Sequence, residues 1–272
     1  MDLYTLLSTT QRQQVGDGLC HPLLTGCNSS YVLILIWPQL GDFDSLEYAW
    51  WIQRESQSLH AQGVEIRAIG IGNRESGQQF STYTGFPAEQ LFVDPEAQIH
   101  QDLGLYAGLT LNLPGLKAGQ KAWVNLMLMC AGIQSPGTLA EVWRGYRGDR
   151  RAPQLIRDEE EVRAFPLPPL KGSFFNRVGK SGSQRPLELA TLRLRNMAEV
   201  LGHWNTYVPD AAYLTQRGST FLFDSRGELL YEYRDRGILG FAENMRCPLE
   251  VIHKILNERT NNSVASAIAQ ED

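Results

Sequence analysis

The side chains of this 272-residue chain best suited to covalent chemistry are four thiols, Cys20, Cys27, Cys130 and Cys247. Cys20 stands beside His21, and a neighbouring imidazolium lowers a thiol pKa and favours the nucleophilic thiolate. Cys20 and Cys27 lie close in sequence ahead of the first strong strand. Their spacing allows a reversible disulfide, a metal-ligand pair, or two unpaired small residues in a loop. Cys247 precedes Pro248 at the start of a helical pattern, where it is either reactive or structural. Cys130 sits in the apolar run LMLMCAG and reads as core. No pair shows the C-x₂₋₄-C spacing of a zinc framework, so no metal is expected.

Other polar constellations are sparser. Gly41-Asp42-Phe43-Asp44-Ser45 forms a turn between an apolar run and a helical pattern. It reads as helix capping, or as a polar pocket at a helix N-terminus. Arg234-Asp235-Arg236 ends the last strand; it reads as a local ion-pair cluster or as a guanidinium aimed at that turn, which would favour an anion or thiolate. His60, His100, His203 and His253 are scattered, with no Ser–His–Asp arrangement and no H-E-x-x-H motif. Gly70-Ile71-Gly72-Asn73 lacks the third glycine of a dinucleotide fingerprint, so no cofactor is expected.

The elements that must position these groups follow from hydrophobic periodicity. Tyr31–Trp37 is a continuous apolar run, the pattern of a central parallel strand buried on both faces. A helix is expected over Asp44–Ala61, with Asp44 as cap and Glu47 reaching back in a capping box. Val64–Ile71 reads as a strand, Arg74–Thr84 as a helix stopped at Gly85, Leu91–Val93 as a short strand and Pro95–Leu103 as a short helix. Ala118–Ala131 has the composition of a buried helix, Thr138–Trp143 of another, and Arg144–Arg151 reads as a solvated arginine-rich loop. The prolines of Phe165–Gly182 oppose regular structure.

Leu187–Trp204 resumes as a helix whose stripe of Leu187, Ala190, Leu194, Met197 and Leu201 faces either the core or a partner. Ser219–Asp224 and Glu228–Arg234 form a hairpin around Ser225-Arg226-Gly227. Pro248–Arg259 closes the chain as a helix, and residues 260–272 read as a flexible tail. The order is β-α-β-α, a helical block, then β-β-α. It predicts an α/β, thioredoxin-like fold over residues 1–272, a central mixed sheet flanked by helices, with an insertion at about 107–216 before the C-terminal hairpin.

Composition narrows the class. A net charge of −5 gives no electrostatic case for nucleic acid. No run approaches the roughly 18 apolar residues of a membrane span, and no signal peptide is expected at the start. Four unpaired-looking cysteines in a chain of this size point to a reducing compartment, the cytoplasm by default.

Several segments together carry a family resemblance: Val32–Tyr48, GVEIRAIGIGN, FSTYTGFPAEQLFVDPEAQIHQDLGLY and RGSTFLFDSRGELLYEYRDR. The chain resembles the AhpC/TSA-type, peroxiredoxin-like 2 family, especially its longer photosynthetic members. The resemblance implies a thioredoxin-like fold and antioxidant redox chemistry, and opens the chloroplast stroma or thylakoid surface as alternative compartments. In redox-active relatives the turn after the first strand is C-x-x-C. Aligning Leu46-Glu47-Tyr48 with the helix start that follows places Asp42 and Ser45 in the two cysteine slots. Neither carboxylate nor hydroxyl forms a sulfenic or disulfide state.

Two functions stay open. One is a binding or assembly module without the usual active-site cysteines, a protein partner docking through the inserted helices, with Trp204 among the binding residues and Arg234 and Arg236 near the turn. The other is a thiol peroxidase or disulfide reductase using Cys20 with Cys27, or Cys247.

Overall fold

The computed structural model describes the backbone of residues 2–268 and the side chains of residues 2–261. The chain opens with α1 (Leu3–Thr9) and two short strands, β1 (Gln11–Gln14) and β2 (Cys20–Pro22). Then come β3 (Tyr31–Gln39), α2 (Phe43–Ala61), β4 (Val64–Ile71), α3 (Arg74–Thr84), β5 (Leu91–Val93) and α4 (Gln98–Asp102). The inserted block holds α5 (Ala118–Cys130), α6 (Thr138–Arg147), a two-residue strand pair β6 (Glu161–Val162) and β7 (Leu170–Lys171), α7 (Glu188–Gly202) and α8 (Trp204–Tyr207). The chain finishes with β8 (Ser219–Asp224), β9 (Leu229–Arg234) and α9 (Glu250–Ile268).

The main sheet runs β2-β1-β5-β4-β3-β8-β9. β3, β4 and β5 are parallel, and β8 and β9 add an antiparallel hairpin beside β3. This is the thioredoxin-like plan, extended at the β5 edge by β1 and β2. Side chains alternate along β3: Leu33, Leu35 and Trp37 pack beneath α2, α3, α7 and α9, while Val32, Ile34 and Ile36 pack against α1 and α4. Both faces are covered, so the strand reads as an unbroken apolar run.

Local signals place most boundaries, and long-range pairing explains the differences. α2 begins at Phe43 with Asp42 as its cap, because Asp42 accepts from the Asp44 amide at 2.9 Å. Asp44 and Glu47 form no capping box. Each is buried and is drawn to an arginine far along the chain. The arginine-rich stretch is no solvated loop at its start. Arg144 and Arg147 belong to α6, and Arg144 pairs with Glu141 at 2.8 Å and donates to the Met245 carbonyl at 2.9 Å. The proline-rich segment holds β7 and a 3₁₀ turn over Gly172–Arg177, organised around Arg185. That wholly buried guanidinium bonds Asp158, Asn176, Glu188 and the Ile156 carbonyl. α9 runs on to Ile268 through the start of the expected tail; residues 269–272 lie outside the described residues.

Two contacts fix the inserted helices over the end of β3. Arg193 on α7 reaches Glu47 on α2 at 2.7 Å. At the start of α6, Thr138 donates to the Ile238 carbonyl at 2.6 Å, and the Ile238 amide donates to Ser135 at 2.8 Å. The turn between β3 and α2 is packed tightly from the side. A Cβ on Gly41 would lie 2.8 Å from Cβ of Tyr207, so only glycine lets α8 approach this closely.

Candidate functional site

The turn after β3 is built around Arg217, a wholly buried residue just before β8. Its guanidinium bonds Asp42 at 2.5 Å and Asp44 at 3.2 Å, while its Nε donates to the Thr215 carbonyl at 3.1 Å. Both Asp44 oxygens also accept from the Leu239 amide, at 2.8 and 2.9 Å. Burial, with Asp42 next, drives the Asp44 carboxyl well above the usual carboxylate range, and Arg217 opposes the shift. For Arg217 itself burial works against the charge, yet Asp42 and Asp44 raise its pKa. A third carboxyl, Asp235, accepts from the Gly218 amide at 3.2 Å and is pushed up to about 7, chiefly by burial. Ser45 donates its hydroxyl to the Gln39 carbonyl at 2.9 Å in a fully buried setting. The turn's own groups are thus satisfied internally.

Above this turn the inserted helices enclose two apolar cavities that share Phe43, Cys130, Met197 and Ile238 in their walls. One, of about 330 Å³, lies between the turn, α5 and α7; the other, of about 260 Å³, lies between α6 and α7. Trp123 on α5 and Trp204 on α8 stack at 4.9 Å between centroids in the wall of the first. The α7 stripe therefore faces a cleft: Ala190, Leu194, Met197 and Leu201 line it together with Val200, which also packs in the core, while Leu189 and Leu192 face the core.

Cys130 is half-buried in the shared wall, a correction to its assignment as core. α5 buries only Ala122, Asn125 and Met129, while Trp123, Leu126, Met127 and Cys130 line the cleft. Burial, then the charge of Asp42, raises the Cys130 pKa, with Arg217 opposing. The group that meets the cleft is the thiol, a poor nucleophile compared with a thiolate.

The thiols singled out from sequence lie elsewhere. Cys20 is exposed on edge strand β2, four strand spacings from β3, roughly 19 Å at the usual interstrand distance. Its neighbour His21 is engaged with Asp17 at 2.7 Å. Cys27 packs against the α1/α4 face near Glu65 and Arg67, at the opposite end of β3 from the turn, and burial pushes its thiol up to about 11. Both are free thiols. Cys247 is half-buried, its pKa raised by burial and then by Glu250 and Glu55. Glu55 is twelve residues into α2, about 18 Å along its axis, so Cys247 is remote from the turn.

Of the arginines, Arg234 does not approach the turn. It pairs with Glu232 at 2.5 Å and donates to the Leu103 carbonyl at 2.6 Å. Arg236 is exposed and makes no ion pair or hydrogen bond among the described residues. The guanidinium at the turn is Arg217, which sequence reasoning left without a role. The sequence signal is weak: Arg217 precedes the strand STFLFD, half of whose residues are polar, and only the structure shows that strand and arginine are buried, where a guanidinium needs carboxylates such as those of the turn. Among the described residues no group of three or more His, Cys, Asp or Glu could hold a metal ion, and no helix is long and apolar enough to cross a membrane.

Fold and site define a thioredoxin-like domain whose turn between β3 and α2 is roofed by an inserted helical block. A sequence model of the AhpC/TSA antioxidant enzymes matches residues 51–237, more than half of the chain, and the protein belongs to that family. The match begins after the turn, leaving Asp42–Ser45 outside it. No curated protein matches. Among solved structures, the bacterioferritin comigratory protein of Xanthomonas campestris, for which alkyl peroxide reduction activity is described, is 10% identical with a TM-score of 0.37, covering 88% of each chain. A cysteine-to-serine variant of peroxiredoxin Q from the same organism is 9% identical, also at 0.37, covering 88% of this chain and 87% of its own. An uncharacterized conserved protein from Geobacillus kaustophilus is 14% identical at 0.28, covering 36% of this chain and 56% of its own.

Proposed function

We propose that this protein is a non-catalytic binding module of the peroxiredoxin-like fold, whose inserted helices receive an occupant over the turn where its relatives carry a redox cysteine. One observation carries the reading. Asp42, Asp44 and Ser45 are all committed to internal partners, while the space above them is a cleft walled by the insertion's apolar side chains. A peroxidase needs a thiolate stabilised by donors at a helix start. Here the donor that could serve one, Arg217, is engaged by two carboxylates. The walls instead offer the apolar lining typical of binding cavities.

A second reading is favoured by Cys130 alone. Its sulfur would attack a peroxide oxygen, giving a sulfenic acid and releasing the alcohol from the broken O–O bond, with an added dithiol returning the thiol. Peroxide consumption by the intact protein with dithiothreitol separates the two. The binding module consumes no more than a buffer control, and binds Nile red with an affinity that Met197→Glu and Trp204→Ala reduce. Turnover that disappears in Cys130→Ser would overturn the non-catalytic reading.

A further inference from the structure

The block between α4 and β8 differs from the rest of the chain in both surface and charge. Of the seventeen exposed large apolar side chains among the described residues, fifteen fall between residues 107 and 216. The same stretch holds fourteen lysines and arginines against nine acids, a net charge of +5 in a chain whose total is −5. Apolar groups gathered on one part of a surface mark an interaction site.

These groups border one continuous groove. The two cavities share Phe43, Cys130, Met197 and Ile238, and α7 runs along both, from Ala190 in the smaller to Leu201 in the larger. That length of helix is about 17 Å, three turns. The rim is bare. Met127, Tyr146 and Leu201, which line the cavities, and Leu139 and Trp143 beside them on α6 are each more than half exposed. Leu139, Val142, Trp143 and Tyr146 share one face of α6, at the i, i+3, i+4, i+7 spacing. A small molecule held within the cavities leaves Leu139 and Trp143 uncovered, since neither lines them. A flat bilayer covers the rim and leaves the groove unfilled. An α-helix laid along α7 fills the groove and covers the rim.

Charge selects the kind of helix. Arg147, Arg150 and Arg151 stand where α6 ends, close to the start of α7, because the Leu187 amide donates to the Gly145 carbonyl at 2.9 Å. All three are exposed, and their side chains make no ion pair or hydrogen bond among the described residues. The Arg147 guanidinium lies 5.2 Å from the centre of the Trp143 ring. The acids nearby are already paired: Glu141 with Arg144 at 2.8 Å and Arg193 at 3.5 Å, Asp149 with Arg246 at 2.6 Å, and Asp42 with Arg217. This end of the groove presents uncompensated positive charge, which attracts carboxylates and repels the same face of a second copy.

We infer that the groove docks an acidic amphipathic α-helix of a partner protein, its apolar face seated along α7 from Ala190 to Leu201 and its carboxylates meeting Arg147, Arg150 and Arg151. The inference rests on the binding-module reading and names the class of partner. Met127 and Met197 let the walls adapt to the helix's apolar side chains, and Trp143 and Tyr146 are of the types that carry binding energy at interfaces.

The test uses three fluorescein-labelled peptides of about sixteen residues, long enough to span the groove, and reads anisotropy on the full-length protein. The first carries leucine on one helical face and glutamate and alanine elsewhere. The second has lysine in place of each glutamate. The third has the composition of the first with the leucines scrambled off a single face. The acidic amphipath should bind about tenfold more tightly than the lysine peptide, the span of three exposed charge pairs turned from attraction to repulsion, and should also exceed the scrambled peptide. Replacing Arg147, Arg150 and Arg151 together by glutamate should invert the preference between the first two peptides, and an unchanged urea midpoint shows that this variant is folded. Met197→Glu should weaken the acidic amphipath. Equal binding of the first two peptides, equal binding of the scrambled peptide, or a preference that survives the triple substitution would each overturn the inference. So would binding of the protein to phosphatidylglycerol vesicles with none of the peptides bound, or a dimer in sedimentation velocity that Met197→Glu dissolves. Nile red binding without peroxide turnover would leave the binding-module reading standing in each of those cases.

Discussion

Replacing Asp235 with asparagine should stabilise the protein, and should do so more as pH rises. The carboxyl is fully buried, with Oδ2 accepting from the Gly218 amide and Oδ1 unpaired. Burial raises its pKa from 3.8 to about 7; Arg217 and the Gly218 amide pull it down and Asp42 pushes it up. A group raised in the folded state binds its proton more tightly there than in the unfolded chain. Its contribution is therefore fully present below pH 3.8 and is lost as pH climbs to about 7. At about 1.4 kcal/mol per pKa unit, the roughly three-unit shift amounts to about 4 kcal/mol, of which about 2 kcal/mol is lost between pH 5 and pH 7. Asparagine reproduces the neutral carboxyl, keeping an oxygen for Gly218 and no charge. Urea unfolding followed by tryptophan fluorescence at pH 4, 5, 6, 7 and 8 reads the difference directly, since other titrations are common to both proteins. The two should be alike near pH 4 and diverge to about 4 kcal/mol by pH 8. Stabilities that run parallel from pH 5 to 8, or a variant less stable than the parent at pH 8, would refute the reasoning.

Two further outcomes test the same region and its surroundings. Arg217→Met strands Asp42 and Asp44 beside each other without a counter-charge and should cost about 3–5 kcal/mol in urea unfolding at pH 7; a loss below about 1 kcal/mol would mean that the guanidinium is not the turn's organising charge. Iodoacetamide at pH 8 should label exposed Cys20 before Cys27, Cys130 or Cys247, whose thiols are half-buried with raised pKa values. Peptide mass mapping over time gives the order, and first labelling of Cys130 would contradict the protonated thiol assigned to it.

Much of the scaffold was legible because its signals are local. β4, α3, β5 and β8 fall where periodicity, the Gly85 stop and the hairpin turn place them, since each depends on residues a few positions apart. The same is true of the turn after β3 and of the helical insertion before the hairpin. The charged residues misled for the opposite reason. A carboxylate at a helix start looks like a cap from sequence, yet Asp44 and Glu47 bond Arg217 and Arg193, partners 173 and 146 residues away. Pairing at that range is a property of the packed chain.

The amino-acid sequence by itself determined a thioredoxin-like sheet, the absence of sulfur from the turn, and a stripe of apolar residues on α7. Only the tertiary structure decided that this stripe and α5 enclose a cleft, that Cys130 lies in its wall, and that Arg217 closes the turn. An apolar helical face looks the same whether it packs on a core or lines a cavity, because periodicity records which residues share a face and says nothing of what stands opposite.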